Sequence, residues 1–141
     1  MVGYEGVMAE GNIAGEIDHV LKAMEAEHEQ LFHTVDRIRE AIDAEDLRIA
    51  KHNLMQLQIY QQSHFENESR LMAQYDYPRI EDHEKTHLNL IETLHSINRI
   101  LSLENLQQLN GALTAYLESS LHHVIEVDRP FQEFLSLSRE K

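Results

Sequence analysis

The chain has 141 residues, enough for one domain with a buried core, and 42% of them are hydrophobic. Its 25 acidic residues outnumber its 12 basic residues, which gives a formal net charge of -13. Such a surface repels nucleic acid phosphates and anionic lipid headgroups, so we expect neither nucleic acid nor membrane partners and favour a bound cation. The chain has no cysteine, which excludes disulfides and thiolate ligands, and a cytoplasmic location is the expectation that fits best.

The N-terminal segment differs in composition from the rest of the chain. Four of the five glycines lie within the first fifteen residues. Because glycine weakens helices, we interpret residues 1–15 as an N-terminal arm and residues 16–141 as a single bundle domain.

After this arm, apolar residues recur every three or four positions, which is the period of an amphipathic helix. The pattern predicts four helices near 16–43, 46–75, 79–101 and 104–128. Ser102 is the expected cap of the fourth helix, with Asn105 nearby. The apolar stripe of that helix comprises Leu106, Leu109, Leu113, Tyr116, Leu121 and Ile125.

The connections between these helices are only a few residues long. Short connections make successive helices antiparallel, so the sequence predicts an all-α, up-down-up-down four-helix bundle. A short packed C-terminal segment is expected to follow, through Phe131, Phe134 and Leu135.

Polar residues interrupt the apolar stripes of the second and third helices. His64 and Glu68 are four residues apart, as are His83 and His87. Residues at this spacing share one helix face, and here that face is the one predicted to point inward. Because a buried carboxylate or imidazole is costly unless it is paired or metal-bound, these pairs are candidate ligands.

The first and fourth helices contribute the remaining candidates, which are His28, His123 and Asp128. Counting residues from each turn at 1.5 Å of rise places all seven residues in one layer of the bundle. Asp128 follows His123 by five residues, about 140° around a regular helix, so we predict a widened π-type turn there. Pro130 supports this irregularity, because it disfavours helical geometry at the preceding residue.

Five imidazoles and two carboxylates exceed what a single metal ion normally uses, so the sequence predicts two metals that share carboxylate bridges. This nitrogen-rich donor set suits iron, although residue types alone leave zinc and copper open. His122 is a competitor of His123, but only His123 has a carboxylate five residues later. His19, His33, His52 and His95 lack partners in the pattern and are not expected to bind metal.

On these residues the sequence resembles the bacterial hemerythrin family over about residues 16–135. The resemblance rests on His28, on the pairs His64/Glu68 and His83/His87, on His123 with Asp128, and on Tyr77-Pro78 between the second and third helices. The resemblance implies a non-haem di-iron centre with an oxo or hydroxo bridge that binds dioxygen reversibly.

By the same resemblance, His83, His87 and His123 would hold one iron. His28 and His64 would hold the other and leave it a position for dioxygen, while Glu68 and Asp128 would bridge the two. Nitric oxide and azide-like anions are further expected ligands.

Two departures from the family pattern concern the oxygen pocket. Members commonly have a tryptophan in the N-terminal arm, and this chain has none, so Ile13 or a neighbour would cover the pocket instead. Ser120 occupies the position where the family usually has an apolar residue, one turn before the fourth-helix histidine. A smaller and more polar wall favours sensing or redox turnover over long-term oxygen storage.

Several alternatives stay open. A ferritin-like carboxylate site would use Glu-x-x-His motifs, which occur as Glu25/His28, Glu84/His87 and Glu92/His95, but it would leave His64, His83 and His123 unexplained. The protein could be an oxygen carrier, a sensor domain fused to a signalling output domain, or an enzyme that removes peroxide or nitric oxide. We rank the enzyme last, because no further acid or base is recognisable, and expect no catalytic residue.

Overall fold

A computed structural model describes residues 2–102 and 105–139, with the side chains of residues 14–101, 105 and 107–138. Over this range the chain is helical: α1 spans Val2–Asp43, α2 Leu47–Gln74, α3 Ile80–Ser102, α4 Leu106–His123 and α5 Arg129–Arg139. A π-helical turn, Val124–Asp128, joins α4 to α5. Among the described residues none lies in a β-strand, and no helix is long and apolar enough to cross a membrane.

The bounds of α2 and α3 lie within a residue or so of the sequence prediction, but the start of the first helix does not. α1 begins at Val2 instead of near residue 16. Each glycine costs a helix only about 1 kcal/mol relative to alanine, and this segment contains no proline to break it. The proposed cover of the pocket by Ile13 lies outside the described side chains, and the division into arm and bundle domain stays a prediction.

Two tight turns end α1 and α2 in the same way. Each uses a left-handed residue, Glu45 with φ of 55° and Asp76 with φ of 56°. The following residue then bonds back across the helix end: the Asp46 N–H donates to the Ala41 carbonyl at 2.8 Å, and Tyr77 donates likewise to Met72 at 2.9 Å. These bonds satisfy carbonyls that a helix end would otherwise leave unpaired, so each helix ends sharply.

The cap of the fourth helix differs from the prediction. Ser102 is the last residue of α3, and Asn105 caps α4 by accepting a hydrogen bond from the Gln108 N–H at 3.0 Å. Asparagine is at least as good an N-cap as serine, and Asn105 becomes the cap because it lies directly before the first residue of α4.

Two hydrophobic clusters lie along the bundle. The larger is built from α1 to α4 and includes Val35, Leu57, Ile97 and Leu113. The smaller contains Ile17, Met24, Met72, Tyr77, Phe131 and Leu135, so α5 forms the packed C-terminal segment that the sequence predicted. Contacts between α1 and α2, α2 and α3, α3 and α4, and α4 and α1 make the four long helices a bundle. Along α1, His28 falls between Met24 of the smaller cluster and Val35 of the larger, and along α2, Glu68 falls between Phe65 of the larger cluster and Met72 of the smaller.

Candidate metal centre

A buried polar layer separates the two hydrophobic clusters. Each of the four long helices contributes to it, and the π-helical turn adds one carboxylate. None of its members is more than 7% exposed, and all seven are the residues chosen from the sequence: His28, His64, Glu68, His83, His87, His123 and Asp128.

These residues form two overlapping groups in which every donor atom lies within 4.8 Å of the others. One group has three histidines, His83, His87 and His123, and the other has two, His28 and His64. Glu68 and Asp128 belong to both groups. The structure therefore brings together all the predicted residues, in the division that the resemblance implied.

In the two-histidine group the imidazoles present their Nε2 atoms to each other and to the carboxylates. His28 Nε2 lies 3.1 Å from His64 Nε2 and 3.0 Å from Asp128 Oδ2. His64 Nε2 lies 3.4 Å from Glu68 Oε1. Two imidazole nitrogens at this distance need a proton or a cation between them.

The three-histidine group has the same arrangement. His87 Nε2 lies 2.9 Å from Glu68 Oε1. His83 Nε2 and His123 Nε2 lie 3.0 and 2.9 Å from the same atom, Asp128 Oδ1. All five histidines thus direct Nε2 toward the two shared carboxylates.

Several of these close approaches lack the direction of hydrogen bonds. Nε2 of both His83 and His123, both oxygens of Asp128, and Glu68 Oε2 are buried without a hydrogen-bond partner among the described residues. Buried polar atoms without partners are rare in native proteins and call for an explanation. Donor atoms that converge on a shared space instead of on one another fit metal ions placed between them.

The electrostatics of the layer agree with this fit. Burial would raise the pKa of Asp128, but His123, His28 and His83 outweigh it and hold that pKa far below its usual range. Burial and the Asp128 charge oppose ionisation of Glu68 too, yet His83 and His87 lower its pKa. Burial favours neutral His83, but Asp128 and Glu68 raise its pKa to about 9. The layer therefore keeps two ionised carboxylates in the interior, where protonated His83 or bound metal ions must balance their charge.

The π-helical turn is what brings Asp128 into the layer. The Arg129 N–H donates to the Val124 carbonyl, five residues earlier, which is the π-helical spacing. Pro130 has no N–H to continue a regular ladder. The extra residue in the turn rotates Asp128 onto the face of His123, so the predicted distortion is confirmed.

A carboxylate that sequence reasoning missed orients one of the histidines. Glu27 Oε1 lies 2.8 Å from His64 Nδ1, and its other oxygen accepts a hydrogen bond from Asn67 at 3.0 Å. Metal-bound histidines commonly donate their second N–H to such a group, which fixes the ring and its tautomer. The adjacency of Glu27 to His28 gave no signal, because its partner lies on the next helix.

Aromatic packing supports the three-histidine side. Phe65 stacks on His87, with ring centroids 3.8 Å apart and planes within 8°. Tyr77 and Phe131 meet the ring of His83 edge-on at 6.4 and 6.3 Å. The smaller hydrophobic cluster therefore packs directly against the buried polar layer.

A small, partly open cavity borders the layer. It is lined by His28, His64, His123 and Asp128, by the apolar Leu31, Phe32, Val35, Phe65, Leu90 and Val124, and by three uncharged polar residues, Gln61, Tyr116 and Ser120. About 20 Å³ is open to the centre of a water-sized molecule, enough for one small ligand. The Tyr116 hydroxyl donates to Gln61 Oε1 at 2.5 Å, whereas Ser120 Oγ is buried without a hydrogen-bond partner.

Comparison with known proteins agrees with this arrangement. A family model described as the hemerythrin HHE cation binding domain matches residues 19–134, which include all seven residues of the layer. The chain belongs to the hemerythrin family. No match was found among curated proteins, and none among solved structures.

Membership in the hemerythrin family disfavours the ferritin-like alternative, and so does the burial of the residues concerned. The glutamates of its three Glu-x-x-His motifs, Glu25, Glu84 and Glu92, are exposed and point away from the layer. His122 is exposed as well, as are the four histidines not expected to bind metal, His19, His33, His52 and His95. Burial thus separates the five hemerythrin-type histidines from the other five.

Proposed function

We propose that this hemerythrin-family chain holds two iron ions in the buried layer and binds dioxygen reversibly at one of them. In this proposal it is an oxygen-binding or oxygen-sensing protein and not an enzyme. The observation that carries the proposal is the position of the cavity. Both histidines of the two-histidine group, His28 and His64, line it, whereas only His123 of the three-histidine group does. The cavity therefore lies mainly on the side with fewer histidines, which leaves room there for a ligand.

The ligand assignment follows the two groups. His83, His87 and His123 would hold one iron, His28 and His64 the other, and Glu68 and Asp128 would bridge them. The membership of both carboxylates in both groups supports this division. Two irons held in this way would supply a reducible pair of metals with an open coordination position for dioxygen.

The surrounding residues prepare the site for a small ligand. Glu27 fixes His64 so that Nε2 faces the layer. Leu31, Val35 and Leu90 make much of the cavity apolar, and its size excludes all but one small molecule. Nitric oxide and azide-like anions are of a suitable size and belong to the proposed set of ligands.

Ser120 favours sensing or redox turnover over long-term storage. Its buried hydroxyl has no hydrogen-bond partner and lines the cavity. A polar wall admits water and stabilises charge that leaves with a reduced oxygen species, so the reduced centre should oxidise readily. A sensing role would also need an output domain fused to this chain in the parent protein.

Two finer features of the fold belong to the same proposal. α1 runs from the smaller hydrophobic cluster to the larger, α2 runs back, α3 runs from Ile80 beside the smaller cluster to the larger, and α4 leads from the larger cluster through the π-helical turn to α5, which packs in the smaller. This order supports alternating up and down directions. A cytoplasmic location remains part of the proposal. A peroxidase or nitric oxide-removing activity ranks below oxygen binding. Apart from the candidate metal ligands, Tyr116 is the one titratable side chain that lines the cavity among the described residues, and burial raises its pKa, which opposes proton release.

The test is an optical spectrum of the aerobic and the reduced protein, combined with metal analysis. Two irons per chain, with oxo-bridged ferric charge-transfer bands that bleach on reduction and a distinct reversible spectrum with dioxygen, are expected. One metal per chain, or zinc alone after anaerobic iron loading, would contradict the proposal. A dioxygen adduct that is stable for days in air would contradict the sensing role.

A further inference from the structure

One hydroxyl group stands out in the polar part of the cavity wall. Ser120 lines the cavity, and its Oγ is buried without a hydrogen-bond partner. Apart from atoms of the candidate metal ligands, it is the one buried side-chain polar atom of this wall in that condition among the described residues. Because buried polar atoms without partners are rare in native proteins, this hydroxyl calls for a partner that the cavity can hold.

The side chain of Ser120 also differs from other hydroxyl side chains in the helices. A helical serine or threonine can donate a hydrogen bond to the backbone carbonyl four residues earlier. Five residues of this chain do so, at 2.8–3.1 Å: Thr34, Thr93, Ser96, Thr114 and Ser138. Ser120 makes no such bond to the Tyr116 carbonyl, so its proton is not committed to the backbone.

The other hydroxyl of the wall is already committed. Tyr116 lies one turn before Ser120 on α4, and its hydroxyl donates to Gln61 Oε1. Burial raises the pKa of Tyr116, and Ser120 lies near enough to oppose that rise. Ser120 Oγ nevertheless makes no well-directed hydrogen bond to the tyrosine. The proton of Tyr116 therefore serves Gln61, and the proton of Ser120 is left for another acceptor.

Ser120 faces the same space as the candidate metal ligands. His123 follows it by three residues on the same face of α4, and His28, His64 and Asp128 line the cavity with it. Because only about 20 Å³ is open to the centre of a water-sized molecule, a ligand in the cavity lies against its walls. The apolar side chains of the wall offer that ligand no hydrogen bond, whereas the Ser120 hydroxyl does.

We propose that the Ser120 hydroxyl donates a hydrogen bond to a small anion in the cavity, and that it thereby favours anions over uncharged ligands of similar size. This inference rests on the proposed function, because it supposes a ligand that binds at the two-histidine side. A hydrogen bond to an ionised acceptor is stronger than one to a neutral acceptor. Azide is the probe for the anionic class and nitric oxide the probe for the uncharged class.

The test measures azide binding to the diferric protein and nitric oxide binding to the diferrous protein, in the wild type and in Ser120→Ala. A hydrogen bond to a charged group corresponds to about a 10- to 100-fold factor in affinity. Because the cavity is partly open, water replaces part of the lost contact, so we expect about a 10-fold rise in Kd for azide, at the lower end of that range. The dissociation rate constant should carry this rise, and Kd for nitric oxide should change far less.

The infrared stretching band of bound azide reports the hydrogen bond directly. Replacing H2O by D2O should shift this band in the wild type and leave it nearly unmoved in Ser120→Ala, which lacks the exchangeable hydroxyl proton. Ser119→Ala is the matched control, since Ser119 is exposed and lines a groove between α3 and α4 instead of the cavity. This control should keep the wild-type Kd values and the wild-type isotope shift.

The metal-free protein gives a second readout, which does not depend on iron. Because the Ser120 hydroxyl has no partner within the protein, Ser120→Ala should leave Tm unchanged or raise it, since alanine is the better helix former. A lower Tm would assign the hydroxyl to a bond within the protein, such as one with Tyr116, and would overturn the inference.

Three further results for Ser120→Ala would overturn the inference. These are a wild-type Kd for azide with an unaltered isotope shift, an equal loss of affinity for azide and nitric oxide, and an equal rise in the association and dissociation rate constants, which would mark a role in access. A wild-type protein that holds two irons but binds none of azide, nitric oxide and dioxygen would instead refute the proposed function.

Discussion

Removing the charge of Glu27 should selectively weaken the binding of one of the two proposed metals. Glu27 contacts His64 but none of the other residues of the layer, with its Oε1 2.8 Å from His64 Nδ1. Glu27→Gln keeps the shape and a hydrogen-bond acceptor but loses the charge that strengthens the imidazole as a ligand. Glu27→Ala removes the acceptor as well and leaves a buried N–H without a partner.

The size of the effect follows from the exposure of the pair. Mutating a group that orients a metal-binding histidine typically costs 10- to 100-fold in metal affinity. The His64 side chain is only 2% exposed, but that of Glu27 is 30% exposed, so solvent screens part of its charge. We therefore expect about a 10-fold loss for Glu27→Gln, about 1.4 kcal/mol, and a loss nearer 100-fold for Glu27→Ala.

The assay is an anaerobic titration of the metal-free protein with Fe(II), in which binding is measured by calorimetry or by competition with a chelator. The loss of affinity should appear at the two-histidine side, so the affinity for one equivalent of iron falls and the affinity for the other does not. Glu29→Gln is the control, since it removes the same charge from an exposed position on the same helix. Equal losses in both variants, or equal weakening of both equivalents by Glu27→Gln, would refute this reasoning.

Three further changes have defined outcomes. Ser120→Leu should slow autoxidation of the reduced protein several-fold, measured by the return of the ferric absorption in air. Ser120→Ala is the control that removes only the hydroxyl and so separates the effect of polarity from that of size. Faster autoxidation in Ser120→Leu would contradict the role proposed for Ser120. Glu45→Gly should raise the free energy of unfolding by about 1 kcal/mol in a urea titration, because glycine adopts a positive φ without strain. Chelation of the metals should lower Tm by several degrees in calorimetry, because Glu68 and Asp128 lose their counter-charges; an unchanged Tm would mean that metal does not bind the folded chain.

The metal layer was predictable because its signals are local in the sequence. Histidine and carboxylate pairs four residues apart fall on one helix face, and short turns bring four such faces to one level. Even the irregular turn could be anticipated, since Asp128 is five residues from His123 and Pro130 follows. Each of these inferences needs only the geometry of a helix.

The residues that sequence reasoning missed depend on contacts between helices. Glu27 meets His64 across α1 and α2, and Tyr116 meets Gln61 across α4 and α2. No spacing within a single helix reveals such pairs. A search for acceptors that could serve each candidate histidine would have included Glu27, but it could not have chosen it among the 25 acidic residues.

The end of the fourth apolar stripe was predicted wrongly. Leu121 is 42% exposed and Ile125 46%, although both were assigned to the stripe. After Tyr116 the buried face continues through His123 and Asp128, and Leu121 lies five residues past Tyr116, about 140° around the helix. The residues of the buried polar layer thus occupy the inward face of this segment, and Leu121 and Ile125 face outward.

The position of Asp128 has a consequence for how the chain's C-terminal end and its metals influence each other. The π-helical turn that carries this carboxylate leads directly into α5, and Phe131 and Leu135 of α5 are fully buried against residues of α1 and α2. Metal binding and the docking of α5 therefore share one segment of backbone. Because such coupling is reciprocal, the free energy by which docking of α5 strengthens metal binding equals the free energy by which metal binding stabilises the docking of α5. A protein joined to this end would thus be coupled mechanically to the occupancy of the centre.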